Sequence, residues 1–478
     1  MPDLVVGFDL DMTLVDSRPG IAATLDALAA ESGVFIDSAL VTTRLGPPLA
    51  LELANWYPHE QIPAMNERFR VLYPELAVAP SELIPGAVAA IEAVRRHGGR
   101  VVVVTGKHGP NAELHLRHLG LEVDVLVGGL HGERKAEALL EHGVQVYVGD
   151  HPGDIAGARV AQAVAVGVAS GSHDVDALTA AGADVALPSL ETFPGWLDEW
   201  VLARRLERLD ARLRELGSVA VAFSGGADSA FVLAAAARAL GPDRVVAVTA
   251  VSPSLPQREL AAARAFVADL GVRHETPSTD EMSREGYRAN AGDRCFFCKA
   301  ELLEVLAPMA ERLGVAAVAT GTNADDVRAG FRPGIRAAAE RGAVTPLLDA
   351  GFTKAQVREA SRRWGLVTWD KPAAACLSSR VAFGVQITPQ RLARVEAAED
   401  ALRDALADAG LEVRNLRVRD LGERARIEVD RGSADAVAAD PRFVEVVREA
   451  GFAEVTVDLR GFRSGSMNEL LADPSRYR

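Results

Sequence analysis

Short apolar runs recur between helical stretches along the first two thirds of the chain. Six of them have the length and residue types of buried parallel strands: residues 4–8, 101–105, 144–149, 219–223, 245–251 and 316–320. Strands that alternate with helices fold into parallel sheets covered by helices on their faces. The sequence therefore predicts an α/β protein.

The chain is too long for one hydrophobic core, because it has 478 residues. We predict a first boundary at residues 194–206, where a Pro-Gly pair precedes a charged helix at 202–216. From about residue 388, strand-like runs at 412–419, 424–430 and 454–459 are typical of a small α+β unit. We therefore expect three domains, 1–198, 202–386 and 387–478.

The composition limits the partners of the chain. A formal net charge of -14 argues against a general nucleic-acid binder, which needs clustered Lys and Arg. No run of about 18 apolar residues and no export signal are present, so we expect a cytoplasmic protein that does not enter a membrane. The chain has three cysteines, an odd number in a large protein without an export signal, which argues against a disulfide framework.

Two carboxylates, Asp9 and Asp11, come directly after the first apolar strand. Parallel sheets present their ligand crevice at this end of a strand. One carboxylate can accept a phosphoryl group, and a second can protonate the leaving group and later activate water. Such a crowded anionic site needs Mg²⁺.

Further motifs follow in an order that resembles the haloacid dehalogenase superfamily. They are Asp9-x-Asp11-x-Thr13, then Thr105-Gly106 after a strand, then Lys135, then Gly149-Asp150-x-x-x-Asp154. Met12 departs from the family, which usually has Gly at that position. The resemblance implies a Rossmann-like domain at 1–198 with a small helical cap at about 17–83.

The same resemblance implies roles for these residues. The expected catalytic residues are Asp9, Asp11, Thr105 and Lys135, and the expected Mg²⁺ ligands are Asp9, Asp11, Asp150 and Asp154. Together they predict a Mg²⁺-dependent phosphatase. The motifs do not identify its substrate.

A glycine-rich loop, Ser224-Gly225-Gly226-Ala227-Asp228-Ser229, lies between the strand at 219–223 and an apolar helix. Glycines let backbone amides approach a phosphate, and a helix N-terminus adds partial positive charge. The loop lacks the Gly-x-x-x-x-Gly-Lys pattern of kinases and GTPases. It resembles the PP-loop of ATP pyrophosphatases, which implies a parallel-sheet domain of the adenine-nucleotide alpha hydrolase type at 202–386.

Four downstream segments resemble the LarE family of ATP-dependent sulfur transferases. They are Arg294-Cys295-Phe296-Phe297-Cys298-Lys299, Gly321-Thr322-Asn323-Ala324-Asp325-Asp326, the stretch from Trp369 to Arg380, and the tail from Phe452 to Glu469, which includes the run from Asp458 onward. The resemblance implies that ATP binds at Ser224, Gly225, Gly226, Asp228, Ser229 and Asp326. The anionic substrate is predicted to bind Arg380, Arg417 and Arg426, because guanidinium groups suit phosphate and carboxylate. Glu428, which lies in the same strand pattern as Arg417 and Arg426, is predicted to belong to the same site.

All the thiols of the chain, Cys295, Cys298 and Cys376, lie in these segments. One form of the LarE family holds a [4Fe-4S] cluster on three cysteines, and another sacrifices the sulfur of a single cysteine. The count favours the cluster, with Cys376 also as the reactive residue. A zinc site completed by His274, a sacrificial Cys376 and buried inert thiols are the alternatives.

The LarE resemblance implies a reaction as well. A carboxylate of pyridinium-3,5-biscarboxylic acid mononucleotide would be adenylated by ATP and then sulfurated, a step of nickel-pincer nucleotide biosynthesis. The implied partners are this small nucleotide and further copies of the chain; the motifs do not identify the sulfur donor.

Two other functions compete with this one. A PP-loop tRNA thiolase with an iron-sulfur cluster would need a basic groove, which the acidic composition does not favour. A non-catalytic iron-sulfur or zinc sensing module would not need intact Asp9, Asp11 and Asp228.

Overall fold

The computed structural model describes residues 4–328, 340–372, 375–463 and 466–467. The chain divides into two compact units, Met1–Val201 and Leu202–Arg478. Ala373, Ala374, Ser464, Gly465, Asn468 and Glu469, which belong to the LarE-like segments, lie outside the described residues, as do residues 470–478. The predicted α/β class is confirmed, since both units contain a parallel sheet.

The first unit is built on a six-stranded sheet in which every neighbouring pair is parallel. Its strands are β1 Val5–Phe8, β4 Arg100–Val104, β5 Val125–Val127, β6 Val146–Gly149, β7 Val164–Val168 and β8 Val185–Leu187, in the order β5-β4-β1-β6-β7-β8. β1 is central, and Phe8 at its end pairs with Val103 of β4 and Val148 of β6. The residues that follow β1, β4 and β6 therefore emerge at one edge of the sheet.

Helices cover this sheet and also form a separate small cluster. The cluster lies between two short antiparallel strands, β2 Val15–Asp16 and β3 Glu82–Leu83. Its helices are Arg18–Ser32, Ser38–Thr42, Leu49–Leu53 and Ile62–Leu76, with a 3₁₀ turn at His59–Gln61. The remaining helices of the unit are Ala87–Arg96, Gly109–His118, Lys135–Glu141, Pro152–Val160 and Val175–Ala180, with 3₁₀ turns at Gly132–Arg134 and Leu190–Thr192. The cluster has its own apolar core, which includes Leu25, Leu53, Phe69 and Tyr73.

The predicted start of the charged helix at residue 202 is wrong. Pro194 and Gly195 do not precede a helix that begins at residue 202, because a single helix covers Phe193–Leu216. Proline is tolerated in the first turn of a helix, where its missing N–H has no partner to lose.

The second unit contains a four-stranded parallel sheet in the order β11-β10-β9-β12. The strands are β9 Val219–Ala222, β10 Val245–Val248, β11 Arg273–Glu275 and β12 Ala317–Ala319. Its helices are Ala227–Leu240, Gln257–Asp269, Glu285–Arg288, Arg294–Leu313, Ala324–Arg328, Pro346–Ala350 and Lys354–Arg363. 3₁₀ turns lie at Pro242–Arg244, Glu281–Ser283 and Leu377–Arg380. β9 is an inner strand, so the glycine loop that follows it lies between β10 and β12.

A three-stranded sheet forms the C-terminal part of the second unit. Its strands are β13 Leu416–Asp420, β14 Arg424–Val429 and β15 Glu454–Val457, with β13 antiparallel and β15 parallel to β14. The helices Pro389–Asp408, Arg431–Ala439 and Pro441–Glu449 accompany it. In the part of the chain that the structure describes, no helix combines the length and apolar character needed to cross a membrane.

Candidate functional site

The first candidate site lies at the carboxyl ends of β1 and β6. Asp9 follows β1, Asp150 follows β6, and Asp154 is in the first turn of the helix Pro152–Val160. All three side chains are buried, and each offers a carboxylate oxygen within 4.8 Å of the other two. Three carboxylates at this spacing suit a hard divalent cation such as Mg²⁺. Their like charges require a cation, because burial of unpaired carboxylates is costly.

Lys135 supplies one positive charge to this group. Its Nζ lies 2.8 Å from Asp9 Oδ1, 2.5 Å from Asp154 Oδ1 and 3.0 Å from the Tyr147 hydroxyl. Burial, reinforced by the nearby Asp154, raises the pKa of Asp9 to about 7, although Lys135 acts in the opposite direction. Burial alone would lower the pKa of Lys135, but the two carboxylates hold it well above its usual value. The ammonium therefore stays charged in the site.

Asp11 lies apart from the three-carboxylate group. Its Oδ1 accepts hydrogen bonds from Lys107 Nζ at 2.8 Å and from Ser17 Oγ at 2.5 Å. Burial acts to raise the pKa of Asp11, yet these contacts outweigh it and hold that pKa below its usual value. The two predicted carboxylates thus have different environments, and Asp11 is kept in the ionised form.

Lys107 and Tyr73 were not identified from the sequence. Lys107 Nζ also donates to the Tyr73 hydroxyl at 2.5 Å, and Tyr73 belongs to the helix Ile62–Leu76 of the helical cluster. The signal available for Lys107 was its position two residues after Thr105, at the end of a predicted strand. No sequence signal pointed to Tyr73.

Thr105, Thr13 and Met12 complete the loops at this edge. Thr105 Oγ1 accepts from the Lys107 amide at 3.2 Å, and Thr13 Oγ1 donates to Asp150 Oδ1 at 3.0 Å. Met12 has a φ of 60°, which glycine adopts at lower cost than other residues. The backbone at Met12 is therefore strained, because a methionine occupies a position at which the haloacid dehalogenase family favours Gly.

A cavity of about 450 Å³ opens onto this site. The residues that line it include the predicted Asp9, Asp11, Thr105, Lys135, Asp150 and Asp154. They also include Arg44, Asn66 and Phe69, which come from the region of the helical cluster. A ligand in the cavity would contact both the carboxylates and the helical cluster.

The second candidate site begins with the glycine loop after β9. Gly225 has a φ of 73°, and the Ser224 amide and Gly226 carbonyl bond to the Ser229 hydroxyl at 3.2 and 3.1 Å. The helix Ala227–Leu240 starts directly afterwards. The free amides of its first turn face the loop, an arrangement that binds phosphate groups.

Acidic side chains surround this loop. Asn323 Nδ2 donates to Asp228 Oδ1 at 3.2 Å, and the Asn323 amide donates to Asp326 Oδ2 at 3.2 Å. Lys354, which was not identified from the sequence, forms an ion pair with Asp228. The predicted residues Asp228 and Asp326 are thus brought together by Asn323, whose segment follows β12.

One cavity of about 340 Å³ joins the loop to two of the cysteines. It is lined by Ser224, Gly226, Asp228, Ser229, Asp326, Cys298 and Cys376, and also by Lys299 and Glu281. Cys295 is exposed at the start of the helix Arg294–Leu313. Burial raises the pKa of the Cys298 thiol well above its usual value, and the neighbouring Cys376 adds to the shift. Cys298 and Cys376 therefore lie close enough to interact electrostatically.

Buried side chains hold the Cys376 segment against the Cys295 and Cys298 helix. The Tyr287 hydroxyl lies 2.6 Å from Ser378 Oγ, and Arg294 Nη1 donates to the Ser378 carbonyl at 2.8 Å. Asn290 Nδ2 donates to the carbonyls of Ala382 and Val385 at 2.8 and 2.9 Å. We call Tyr287, Asn290 and Arg294 the cysteine frame, because they fix the distance between the two cysteine segments.

The positions of the cysteines and of His274 do not favour the zinc alternative. A single zinc ion needs its ligand atoms close together, yet within the described ranges the only group of three or more that meets this spacing is Asp9, Asp150 and Asp154. His274 Nε2 instead lies 2.9 Å from the Thr249 hydroxyl. The three cysteines are not at the spacing of a one-ion site with His274.

The four predicted substrate residues contact protein groups. Arg380 pairs with Glu399 at 2.9 Å and donates to the Cys376 carbonyl at 3.0 Å. Glu428 accepts from Arg426 at 2.8 Å and from Arg419, which was not predicted, also at 2.8 Å. Burial, together with the nearby Arg380, lowers the pKa of Arg417 to about 10. None of the four is among the residues that line the cavity of the loop and cysteines.

Comparison with known proteins places each of the two parts of the chain in a class of enzyme. A haloacid dehalogenase-like hydrolase model matches residues 6–159, and an NAD synthase model matches residues 202–294. A phosphoglycolate phosphatase of Rhodospirillum rubrum is 30% identical over 41% of this chain and 91% of its own length. The chain therefore joins two classes of enzyme, a phosphohydrolase and a PP-loop ATP-using enzyme.

The second class can be narrowed to one family. Pyridinium-3,5-bisthiocarboxylic acid mononucleotide synthase of Lactiplantibacillus plantarum is 36% identical over 56% of this chain and 96% of its own length. An uncharacterized protein of Synechocystis, slr1717, is 42% identical over 57% of this chain and 99% of its own length. The chain belongs to the LarE family of sulfur transferases, fused to a haloacid dehalogenase-like hydrolase; the two families imply ATP and Mg²⁺ respectively.

Proposed function

We propose that the second unit activates a carboxylate of pyridinium-3,5-biscarboxylic acid mononucleotide with ATP and replaces one of its oxygens with sulfur. The observation that carries this proposal is the cavity that the glycine loop shares with Cys298 and Cys376. A carboxylate activated at the loop would then be within reach of sulfur at the cysteines. The similarity to the Lactiplantibacillus synthase supplies the substrate class.

The chemistry follows from the weakness of a carboxylate as an electrophile. One carboxylate oxygen of the substrate attacks the α-phosphorus of ATP, and pyrophosphate leaves with the electron pair of the broken P–O bond. The loop amides from Ser224 to Ser229 hold the departing phosphates. Sulfur at the oxidation level of sulfide, held at the cysteine site, then attacks the acyl carbon, and AMP leaves with the electron pair of the broken C–O bond, which gives a thiocarboxylate.

The three cysteines fit a cluster better than a one-ion site. Cys298 and Cys376 line the cavity, Cys295 is exposed, and the cysteine frame fixes the two segments relative to each other. A [4Fe-4S] cluster on three thiolates would supply an iron position open to sulfur. The chain's own contribution is to hold the thiols: Arg380 fixes the Cys376 backbone, and Tyr287 bonds to Ser378 two residues later. A sacrificial Cys376 remains the competing form of the same reaction.

We propose that the first unit hydrolyses a phosphate monoester. The Asp9 carboxylate attacks phosphorus, and the leaving oxygen takes the electron pair of the broken P–O bond and a proton from Asp11. Asp11 gains that proton when the anionic phosphate binds beside it, because the site without substrate keeps its carboxylate ionised. Asp11 then removes a proton from the water that hydrolyses the phosphoaspartate, a role that suits the ionised form favoured by Lys107. Asp9, Asp150 and Asp154 would hold Mg²⁺, which would neutralise the phosphoryl charge.

Pyrophosphate release tests the proposal for the second unit. The full chain is incubated with ATP and either the pyridinium mononucleotide or bulk tRNA. We expect release only with the mononucleotide, since the chain carries a net charge of -14 and lacks the charge balance of a tRNA enzyme. Release that depends on tRNA would establish the thiolase alternative, and no release with either substrate would favour the sensing module.

A further inference from the structure

Lysine is rare in this chain and its positions are not random. Of 52 basic residues only five are lysines, Lys107, Lys135, Lys299, Lys354 and Lys371, and the rest are arginines. Lys107 and Lys135 contact the carboxylates of the first site. The other three lie at the second site: Lys299 lines its cavity, Lys354 pairs with Asp228, and Lys371 contacts the glycine loop. Since the other basic residues are all arginines, the compact ammonium groups of lysine are concentrated at the two sites where a phosphate group is expected to bind.

The Lys371 side chain reaches the glycine loop directly. Its Nζ donates to the Gly225 carbonyl at 3.0 Å and to Glu259 Oε2 at 2.7 Å. Both charged side chains remain about a quarter exposed, and Glu259 lines the cavity of the loop and cysteines. Lys371 is not itself among the lining residues, but its ammonium is bonded to one of them, so it lies at the edge of the cavity.

Lys371 also belongs to the segment that carries the reactive thiol, since it precedes Cys376 by five residues. Its backbone carbonyl accepts from Arg358 Nη2 at 3.2 Å. At the other end of the segment, Arg380 pairs with Glu399 and donates to the Cys376 carbonyl. One cation therefore ties the start of the segment to the glycine loop, and another ties its end to Glu399.

We propose that Lys371 is an ATP-binding residue whose exchange of partners, from Glu259 to the polyphosphate, couples nucleotide binding to the position of Cys376. The proposal rests on the proposed function of the second unit. A triphosphate at the loop carries more negative charge than the single Glu259 carboxylate and competes with it for the ammonium. Because Lys371 and Cys376 are only five residues apart in the sequence, a displacement of the lysine toward phosphate acts on the chain that carries the thiol.

Three variants and a control test this coupling in the full chain. Lys371→Met removes the charge, Lys371→Arg keeps it with a different shape, and Glu259→Gln removes the competitor. Arg273→Met is the matched control, because Arg273 forms an exposed ion pair with Glu275 outside the cavity. We expect Lys371→Met to raise the KM for ATP in pyrophosphate release about tenfold, Lys371→Arg to raise it less, and Glu259→Gln to lower it. A KM for Lys371→Met within about twofold of wild type would overturn the phosphate-binding role.

The coupling to Cys376 has a separate readout. In protein prepared without iron, the rate at which iodoacetamide labels Cys376 is followed by peptide mass spectrometry, with and without the α,β-methylene analogue of ATP. The analogue should change this rate in the wild type and in Arg273→Met, and leave it unchanged in Lys371→Met. An equal change in Lys371→Met would overturn the coupling.

Failure of the proposed function is distinguishable from failure of this inference. If the wild type releases no pyrophosphate, the adenylation proposal fails. Binding of the analogue by calorimetry still reports on Lys371, because binding needs no acceptor substrate. The lysine variant could lose binding by misfolding, and Glu259→Gln controls for this because the proposal predicts that it binds the analogue more tightly. Tighter binding by Glu259→Gln supports the exchange of Lys371 from Glu259 to the polyphosphate. Unchanged binding contradicts that exchange.

Discussion

The two sites of this chain differ in how completely the protein itself satisfies their charges. In the first unit, Lys135 bonds to Asp9 and Asp154 and Lys107 bonds to Asp11, all at 2.5 to 2.8 Å. In the second unit, the loop presents free amides, and Cys298 and Cys376 line an open cavity. In the first site the protein's own lysines neutralise part of the charge of the buried carboxylates, because burying them unpaired is costly, and the remaining negative charge is available to Mg²⁺. The second is arranged to receive charge from ATP.

A second difference concerns what holds the reactive group. Asp9 and Asp150 lie at the ends of central strands, so the sheet itself positions them. Cys376 lies in a segment between two elements, and the cysteine frame and Arg380 hold it through side chains. A site positioned by side chains depends on a few buried contacts, and it can shift when one of them changes partner.

The largest expected effect separates the two sites. Asp9→Asn removes the nucleophile of the first site, and phosphatase activity should fall by about a thousandfold or more. Pyrophosphate release by the second unit should stay within about twofold, since it uses other residues. Both activities are measured on the same preparation with p-nitrophenyl phosphate and with ATP plus the mononucleotide. Parallel loss of both activities would contradict the separation of the sites.

Lys107→Met tests whether phosphatase activity at the first site needs the positive charge of Lys107 in addition to that of Lys135. Asp11 would lose its ion-pair partner and the orientation that Lys107 gives it. We expect kcat of the phosphatase to fall about a hundredfold. Lys107→Arg is the matched control and should recover part of the loss, whereas an equally inactive arginine variant would mean that the shape of the side chain matters more than its charge.

Asn290→Ala tests the dependence of the second site on side-chain contacts. The buried side chain donates to three backbone carbonyls, and its loss leaves them without these donors. The free energy of unfolding of the second unit in urea should fall by about 2 to 4 kcal/mol. Asn55→Ala, an exposed position of the first unit, should change stability by about 0.5 kcal/mol or less. Equal effects would show that the frame adds no stability.

The smallest expected effect is a pH dependence in the first unit. Burial, with a contribution from Lys107, lowers the pKa of His115 to about 4, while the unfolded chain titrates near 6.5. Between these values only the unfolded chain binds the proton, so stability falls as pH drops from about 6.5 to 4. The loss at pH 5 should be on the order of 2 kcal/mol, measured by thermal unfolding. His115→Gln can still bond to Tyr73 and should show a flatter pH dependence; an identical slope would mean that other groups cause it.

The sequence predicted the elements that a local pattern encodes. All six apolar runs form strands, and the glycine loop has the strand and helix expected around it. Six strands were missed: the two-residue strands β2 and β3, and β5, β7, β8 and β11. Three of these have only three residues and lie at the edges of their sheets, where the apolar signal of a buried strand is weak.

Partners distant in sequence could not be predicted in the same way. Lys107 contacts Tyr73 across 34 residues, and Lys371 contacts Gly225 across 146. The spacing of apolar residues along the sequence does not predict such a contact, because the contact depends on how strands and loops are placed in the fold. Arg380 shows that the residue type alone is also insufficient. An arginine in this segment suggested anion binding, but in the fold its guanidinium group contacts Glu399 and the Cys376 carbonyl.

The central claim is that ATP-activated carboxylate receives sulfur at Cys376. The most direct measurement is the mass of the mononucleotide after anaerobic incubation of the full chain with ATP and a sulfide source, in wild type and Cys376→Ala. We predict that the wild type yields a product in which sulfur replaces one oxygen, while Cys376→Ala still releases pyrophosphate but yields no sulfurated product. A sulfurated product of equal yield from Cys376→Ala would contradict the account.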